Sequence, residues 1–271
     1  MPHSDIASLP TLEGLDISLD SGVLSVTLNR PDSLNSLVLP VVTAYADAIE
    51  TAALDPGVKV VRLGGVGRGF CSGAGIGPDR PTTDGGAALP DVIILEINRL
   101  MRAITALPHP VVSVVHGPAA GVGVSIALAS DIVLASENAF FMLAFSKIGL
   151  MTDGGASALV AANIGRARAM RMALLGERIS AAEAASWGLV SAIYPADQFD
   201  AAAEKVIAQL AAGPAVALAR IKAAVNAATL TELEPTLWRE FEGQRQLLAA
   251  PDFLEGVIAF QQKREANFTD R

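Results

Sequence analysis

The sequence predicts an α/β fold that passes into helix in its second half. Short apolar runs suited to strands recur at residues 12–28, 58–63, 111–115 and 132–135, and stretches with helical spacing lie between them at 39–54, 89–107 and 121–129. Two of the runs exit into shelves of small residues, Gly69-Phe70-Cys71-Ser72-Gly73-Ala74-Gly75-Ile76 and Gly117-Pro118-Ala119-Ala120-Gly121-Val122-Gly123. From Gly155 onward the pattern is almost wholly helical. A regular doubly wound sheet is not expected, because the turns carry Gly-rich shelves in place of tight connections.

The elements follow in order. Residues 12–28 alternate apolar and polar as two strands joined at Asp20-Ser21-Gly22, and Pro31 ends the second. A helix is expected over 39–54 and a buried strand over 58–63, then a loop rich in Gly, Pro, Asp and Thr over 64–86. Helix 89–107, strand 111–115, a short helix at 121–129 and a strand at 132–135 come next. Ser180 with Glu183 forms a capping-box pattern, and Pro195-Ala196-Asp197 marks another helix start. Pro251-Asp252 opens a last helix placed at 254–266, and the region after Gly213 is expected to pack on the core or on a neighbour.

Composition narrows the function classes. The chain has 271 residues and a formal charge of −8 with no Lys/Arg cluster, which argues against nucleic acid or a polybasic membrane contact. One cysteine, Cys71, excludes an internal disulfide framework, and three histidines provide no obvious zinc site. Mean hydropathy of +0.43 suggests apolar surface hidden between subunits, although abundant Ala and Gly also raise the value. The longest apolar zone, 110–136, is broken by His116, Gly117, Pro118 and Asp131, and reads as a strand-turn-helix. No basic segment followed by an apolar core opens the chain, so a cytoplasmic protein is expected.

The shelves carry the chemistry. Small residues at a strand exit let a ligand approach the backbone and leave amides free to donate. Two such amides aimed at one point make an oxyanion hole, the device of acyl chemistry. The rival readings are weaker. Pro78 occupies the last Gly position of a dinucleotide fingerprint, and no G-x-S-x-G elbow is present. His116 and Cys71 read as structural residues. Asp153, in Gly149-Leu150-Met151-Thr152-Asp153-Gly154-Gly155, is the best acid/base candidate and equally a candidate N-cap for a helix over 156–162. A helix N-terminus would lower its pKa and the apolar neighbours would raise it, so both readings stand.

Together these segments resemble the crotonase superfamily of enoyl-CoA hydratases and isomerases over nearly the whole chain. The similarity is carried by Val26-Thr27-Leu28-Asn29-Arg30-Pro31 with Leu34-Asn35-Ser36-Leu37, by the two shelves, and by Ile179-Ser180-Ala181-Ala182-Glu183-Ala184 with Trp187-Gly188-Leu189-Val190. Glu255-Gly256-Val257 with Ala259-Phe260-Gln261-Gln262-Lys263-Arg264 completes it. The resemblance implies a spiral of repeated ββα units over 1–212, a helical trimerisation region over 213–271, and a trimer or dimer of trimers. It implies an acyl-CoA substrate, with coenzyme A as part of that substrate and no other cofactor or metal. The amides of Ala74 and Val122 would form the oxyanion hole, and Leu34, Ala74, Gly75, Ile76, Gly77 and Val122 would contact the substrate.

Departures from the family pattern direct the expected reaction. The two glutamates with which hydratases hold water align with Ser125 and Phe145, and Gly75 stands where the family usually has Asp. Asp153 aligns with the single acid of several family isomerases. Double-bond isomerisation is therefore expected, with hydration by a non-standard site or non-catalytic acyl-CoA binding as alternatives.

Overall fold

The computed structural model describes residues 5–75 and 91–270. Six strands form its main sheet: β1 (Leu15–Asp20), β2 (Val23–Leu28), β3 (Val60–Gly65), β4 (Val111–Val115), β6 (Ile132–Ser136) and β9 (Ala192–Tyr194). They lie side by side in that order. The β1–β2 hairpin is antiparallel, with Asp20 opposite Val23, and every later pairing is parallel. A second sheet joins β5 (Ala119–Ala120), β7 (Phe140–Met142) and β8 (Ile179–Ser180).

Strand β4, Val111-Val112-Ser113-Val114-Val115, is buried at every position, as a parallel strand covered on both faces must be. Val111 and Val115 face the principal core with Leu63, beneath α1 (Leu39–Ala52), α2 (Asp91–Ala106) and α3 (Val122–Ala129). Val112 and Val114 face the other way, onto Phe199, Ala203 and Ile207 of the helix Phe199–Ala211, α6. Period-two alternation thus supplies both layers from one strand.

Helices dominate the second half, as expected, but β8 and β9 interrupt them. Two- and three-residue strands are too short to show a period of two, so their pattern could not announce them. Helix α4 (Ala156–Leu175) is broken at Gly165, whose φ of 74° and ψ of 164° are not helical. The Ser180–Glu183 capping box opens α5 (Ala181–Trp187). After α6 come α7 (Ala215–Thr229), α8 (Leu233–Leu248) and α9 (Pro251–Gln262). The last helix starts earlier than 254 because Pro251 occupies its first turn, and stops at Lys263 in a left-handed conformation, short of 266. Helix α8 buries Leu233, Leu237, Phe241 and Leu248 in the principal core.

Candidate active site

The first shelf is built on Asn35. Its buried side chain donates to the carbonyls of Val66 (2.9 Å) and Gly69 (2.7 Å) and accepts from the Arg30 amide (2.8 Å), tying the exit of β3 to the β2 turn. The Leu34 carbonyl accepts from the Ser72 amide at 2.9 Å. Leu37 then pairs with Ala74 as a parallel bridge: its amide donates to Gly73 (2.8 Å) and its carbonyl accepts from Gly75 (3.1 Å). In that pattern the N–H of Ala74 itself points away from Leu37.

The second shelf leaves β4 through β5 and turns at Gly121 into α3. Val122 is the first residue of α3, so its N–H has no partner within the helix and sits at the positive end of the helix dipole. The shelves meet at Gly73, whose φ is +87°; a Cβ there would lie 2.9 Å from the Ala120 carbonyl and 3.4 Å from the Val122 amide nitrogen. Only glycine permits that approach. Neither the Ala74 nor the Val122 amide donates a hydrogen bond within the protein, among the described residues.

Ala74 and Val122 both line a cavity of about 150 Å³. Ile93, Ile94 and Ile97 of α2, with Phe145, Leu150 and Phe253, give it apolar walls, and Asp153 is the acidic side chain that lines it among the described residues. That volume is enough for a group of about benzene size.

Asp153 is 6% exposed. Its N-cap reading is corrected: Gly155 caps α4, and the Asp153 carbonyl, not its carboxylate, accepts from the Ala156 amide at 3.2 Å. The carboxylate is thus free of the cap. Burial pushes it up to about 7, against the pull of a hydrogen bond from Gln244, and the nearby Glu240 charge adds to the rise. Gln244 Nε2 donates to Oδ2 at 2.9 Å, while Oδ1 is enclosed without a hydrogen-bond partner among the described residues. A carboxyl raised to about 7 is about half-ionised at neutral pH, so it can both take and return a proton there, and one of its oxygens carries no hydrogen bond among the described residues.

Ser125 and Phe145 take distinct places. Ser125 Oγ donates to the Asp153 carbonyl at 3.0 Å and is fully buried, so it holds the backbone of the acid. Phe145 lines the cavity as an apolar wall. From α8, Glu240 accepts from the amides of Gly155 (2.6 Å) and Ser157 (2.8 Å), anchoring the start of α4. Burial raises its pKa as well.

Of the residues singled out in the sequence, Asp153, Ala74, Val122 and Gly75 converge on this cavity. Leu34 does not line it and instead supports the first shelf; Ile76 and Gly77 lie outside the described residues, as does the 76–86 part of the expected loop. Phe141 is a core residue and Phe140 stacks under Arg178 at 4.6 Å, so neither forms the cavity wall. Cys71 is buried, which pushes its thiol up to about 12 and makes it a poor nucleophile. His116 Nε2 lies 3.0 Å from the Gly67 carbonyl, a structural contact. Glu240 and Gln244 were not foreseen.

Residues 18–271 match the family model described as enoyl-CoA hydratase/isomerase. The chain belongs to that family, within the crotonase superfamily. It is 36% identical over 258 residues to the 1,2-epoxyphenylacetyl-CoA isomerase of Escherichia coli K12, covering 93% of this chain and 97% of that one. It is 31% identical to the trans-2-decenoyl-[acyl-carrier-protein] isomerase of Streptococcus mutans, covering 94% and 97%. A crystal structure of an enoyl-CoA hydratase from Mycobacterium avium subsp. paratuberculosis K-10 superposes with a TM-score of 0.90 at 68% identity, covering 96% of this chain and 100% of that one. The family's relatives thus carry both isomerase and hydratase names, on one mixed α/β fold.

Proposed function

We propose that this enoyl-CoA hydratase/isomerase family member moves the double bond of an enoyl-CoA thioester, with Asp153 as its one acid/base. The observation that carries this reading is the pairing of a buried carboxylate, one oxygen unpartnered, with an apolar cavity that holds no second carboxylate among the described residues. The Ala74 and Val122 amides bind the thioester oxygen. Asp153 takes a proton from C2 of a 3-enoyl substrate; the electrons of the C2–H bond pass into a dienolate whose charge rests on that oxygen. Return of the same proton to C4 leaves the 2-enoyl product. No water is consumed, and the apolar walls exclude it. Each oxyanion donor contributes about 3 kcal/mol in well-studied enzymes.

Proton transfer of this kind balances with the carboxylate and two amides alone, so coenzyme A enters only as part of the substrate. Hydration is the second reading, supported by the hydratase name of the structure at 68% identity. On this chain it would rely on Asp153 alone to activate water, since Phe145 cannot and Ser125 is engaged by the Asp153 carbonyl. We also infer a trimer, on the exposed apolar residues Leu174 and Leu175 of α4 and Val216 and Ile221 of α7. A cytoplasmic location accords with the acidic charge and single cysteine.

The test is hydrogen tracking. A 3-enoyl-CoA deuterated at C2, converted in ordinary water, should deliver deuterium to C4 of the 2-enoyl product. A 3-hydroxyacyl product, or C4 hydrogen drawn wholly from solvent, would count against a single enclosed base.

A further inference from the structure

The two oxygens of the Asp153 carboxylate are held differently, and the difference originates on a helix remote in sequence. Oδ2 accepts from Gln244 Nε2 at 2.9 Å, whereas Oδ1 is enclosed and unpartnered among the described residues. Gln244 is itself fixed. Its Oε1 accepts from the Met151 amide at 3.2 Å and its Nε2 also donates to the Met151 carbonyl at 3.0 Å. This clamp grips the backbone two residues before the acid, while Ser125 grips the carbonyl of the acid itself. Gln244 is 1% exposed, and both it and Asp153 line the cavity. An aspartate χ2 is otherwise broad and two-fold, so an unheld carboxylate would offer either oxygen at a range of angles.

We propose that Gln244 is a positioning residue, which by holding Oδ2 presents Oδ1 as the oxygen that carries the proton from C2 to C4. This rests on the reading of Asp153 as the base. Both half-steps then use one atom: the C2–H bond breaks as Oδ1–H forms, and Oδ1–H breaks as C4–H forms, with no net proton gained or lost. The same hydrogen bond favours the ionised carboxylate, so losing it moves the acid limb of the reaction to higher pH. Among the described residues, Glu240 is the titratable group whose charge acts on Asp153, and it stays in place; Lys147 is the other charged side chain that lines the cavity.

The experiment compares wild type, Gln244→Met and Asp153→Asn with a 3-enoyl-CoA, recording kcat, KM and the pH profile of kcat/KM beside unfolding curves. Gln244→Met keeps the length of the side chain and removes the donor. Its kcat should fall on the order of 10²-fold, the effect of misplacing a reacting group by about 1 Å, with KM changed less than about threefold. The acid limb should move upward. Gln244→Asn, one methylene short of Asp153, should give the same signature should the methionine variant not fold. An unchanged kcat and acid limb in a folded Gln244 variant, with Asp153→Asn inactive, would overturn the positioning role and leave the base intact. A loss expressed only in KM would overturn it too. Full turnover by Asp153→Asn would instead remove the base, and the positioning role with it.

Discussion

Replacing Asp153 with asparagine should make the protein increasingly stable relative to wild type as the pH rises, even as it abolishes turnover. The carboxyl is ordinarily half-ionised at 3.8, and burial brings it to about 7 in the folded chain. Between those values the native state holds a proton that the unfolded chain has released, so wild-type stability falls as pH increases through that window. Integrating the linkage from about pH 5 to about pH 8 gives a loss of about 3 kcal/mol that an uncharged asparagine side chain does not suffer. Asparagine brings its own cost, an enclosed amide group at the place of the unpartnered Oδ1, of about 1–3 kcal/mol. That cost does not depend on pH and cancels when the two conditions are compared. Urea unfolding at fixed protein concentration, followed by the fluorescence of Trp187 and Trp238, measures both proteins at each pH. The stability of Asp153→Asn relative to wild type should rise by about 3 kcal/mol between the two conditions. A difference independent of pH would refute the argument, because it would mean that Asp153 titrates like a solvated carboxyl.

Other consequences are equally direct. The acid limb of kcat/KM should lie near 7, since Asp153 must be ionised to take a proton; a limb near 4 would show that the base is a different, solvated group. Glu240→Gln removes the charge that helps raise Asp153, so the limb should move down, and an upward move in steady-state profiles would contradict the electrostatics. Gly73→Ala places a methyl 2.9 Å from the Ala120 carbonyl at a positive φ, displacing the Ala74 amide. Its kcat should fall about 10²–10³-fold in the isomerase assay, the loss expected for one oxyanion donor. Lys222→Met leaves Asp131 without its ion pair at 2.9 Å in a largely buried site. Calorimetric or denaturant unfolding should show a loss of about 3–5 kcal/mol, as for other broken buried pairs.

Much of this arrangement was legible in the chain. The strand runs and glycine shelves are local signals that mark where backbone amides are left free, whereas the choice of Ala74 and Val122 came from the family resemblance; both residues line the cavity. Asp153 was legible as an acid/base candidate and lines the cavity, but its surroundings were not legible. Whether it capped a helix or stood free depended on Gly155 taking the cap, a choice between adjacent residues that spacing does not make. Ser125 and Phe145 were visible as departures, yet only the packing of α3 shows the serine hydroxyl turned onto the Asp153 carbonyl. Gln244 and Glu240 lie about 90 residues from the acid, and no local pattern points that far. One signal was available: α8 is amphipathic, and both residues fall in the buried set with Leu237, Phe241 and Leu248. Polar side chains on an apolar helical stripe need buried partners, which marks them as members of a network.

The most direct measurement is product analysis of the purified protein given a 3-enoyl-CoA and a 2-enoyl-CoA in parallel, with Asp153→Asn alongside. The account predicts conversion of the 3-enoyl compound to its 2-enoyl isomer, no addition of water to either, and loss of that conversion in the variant. Formation of a 3-hydroxyacyl-CoA, or isomerisation that survives Asp153→Asn, would contradict it.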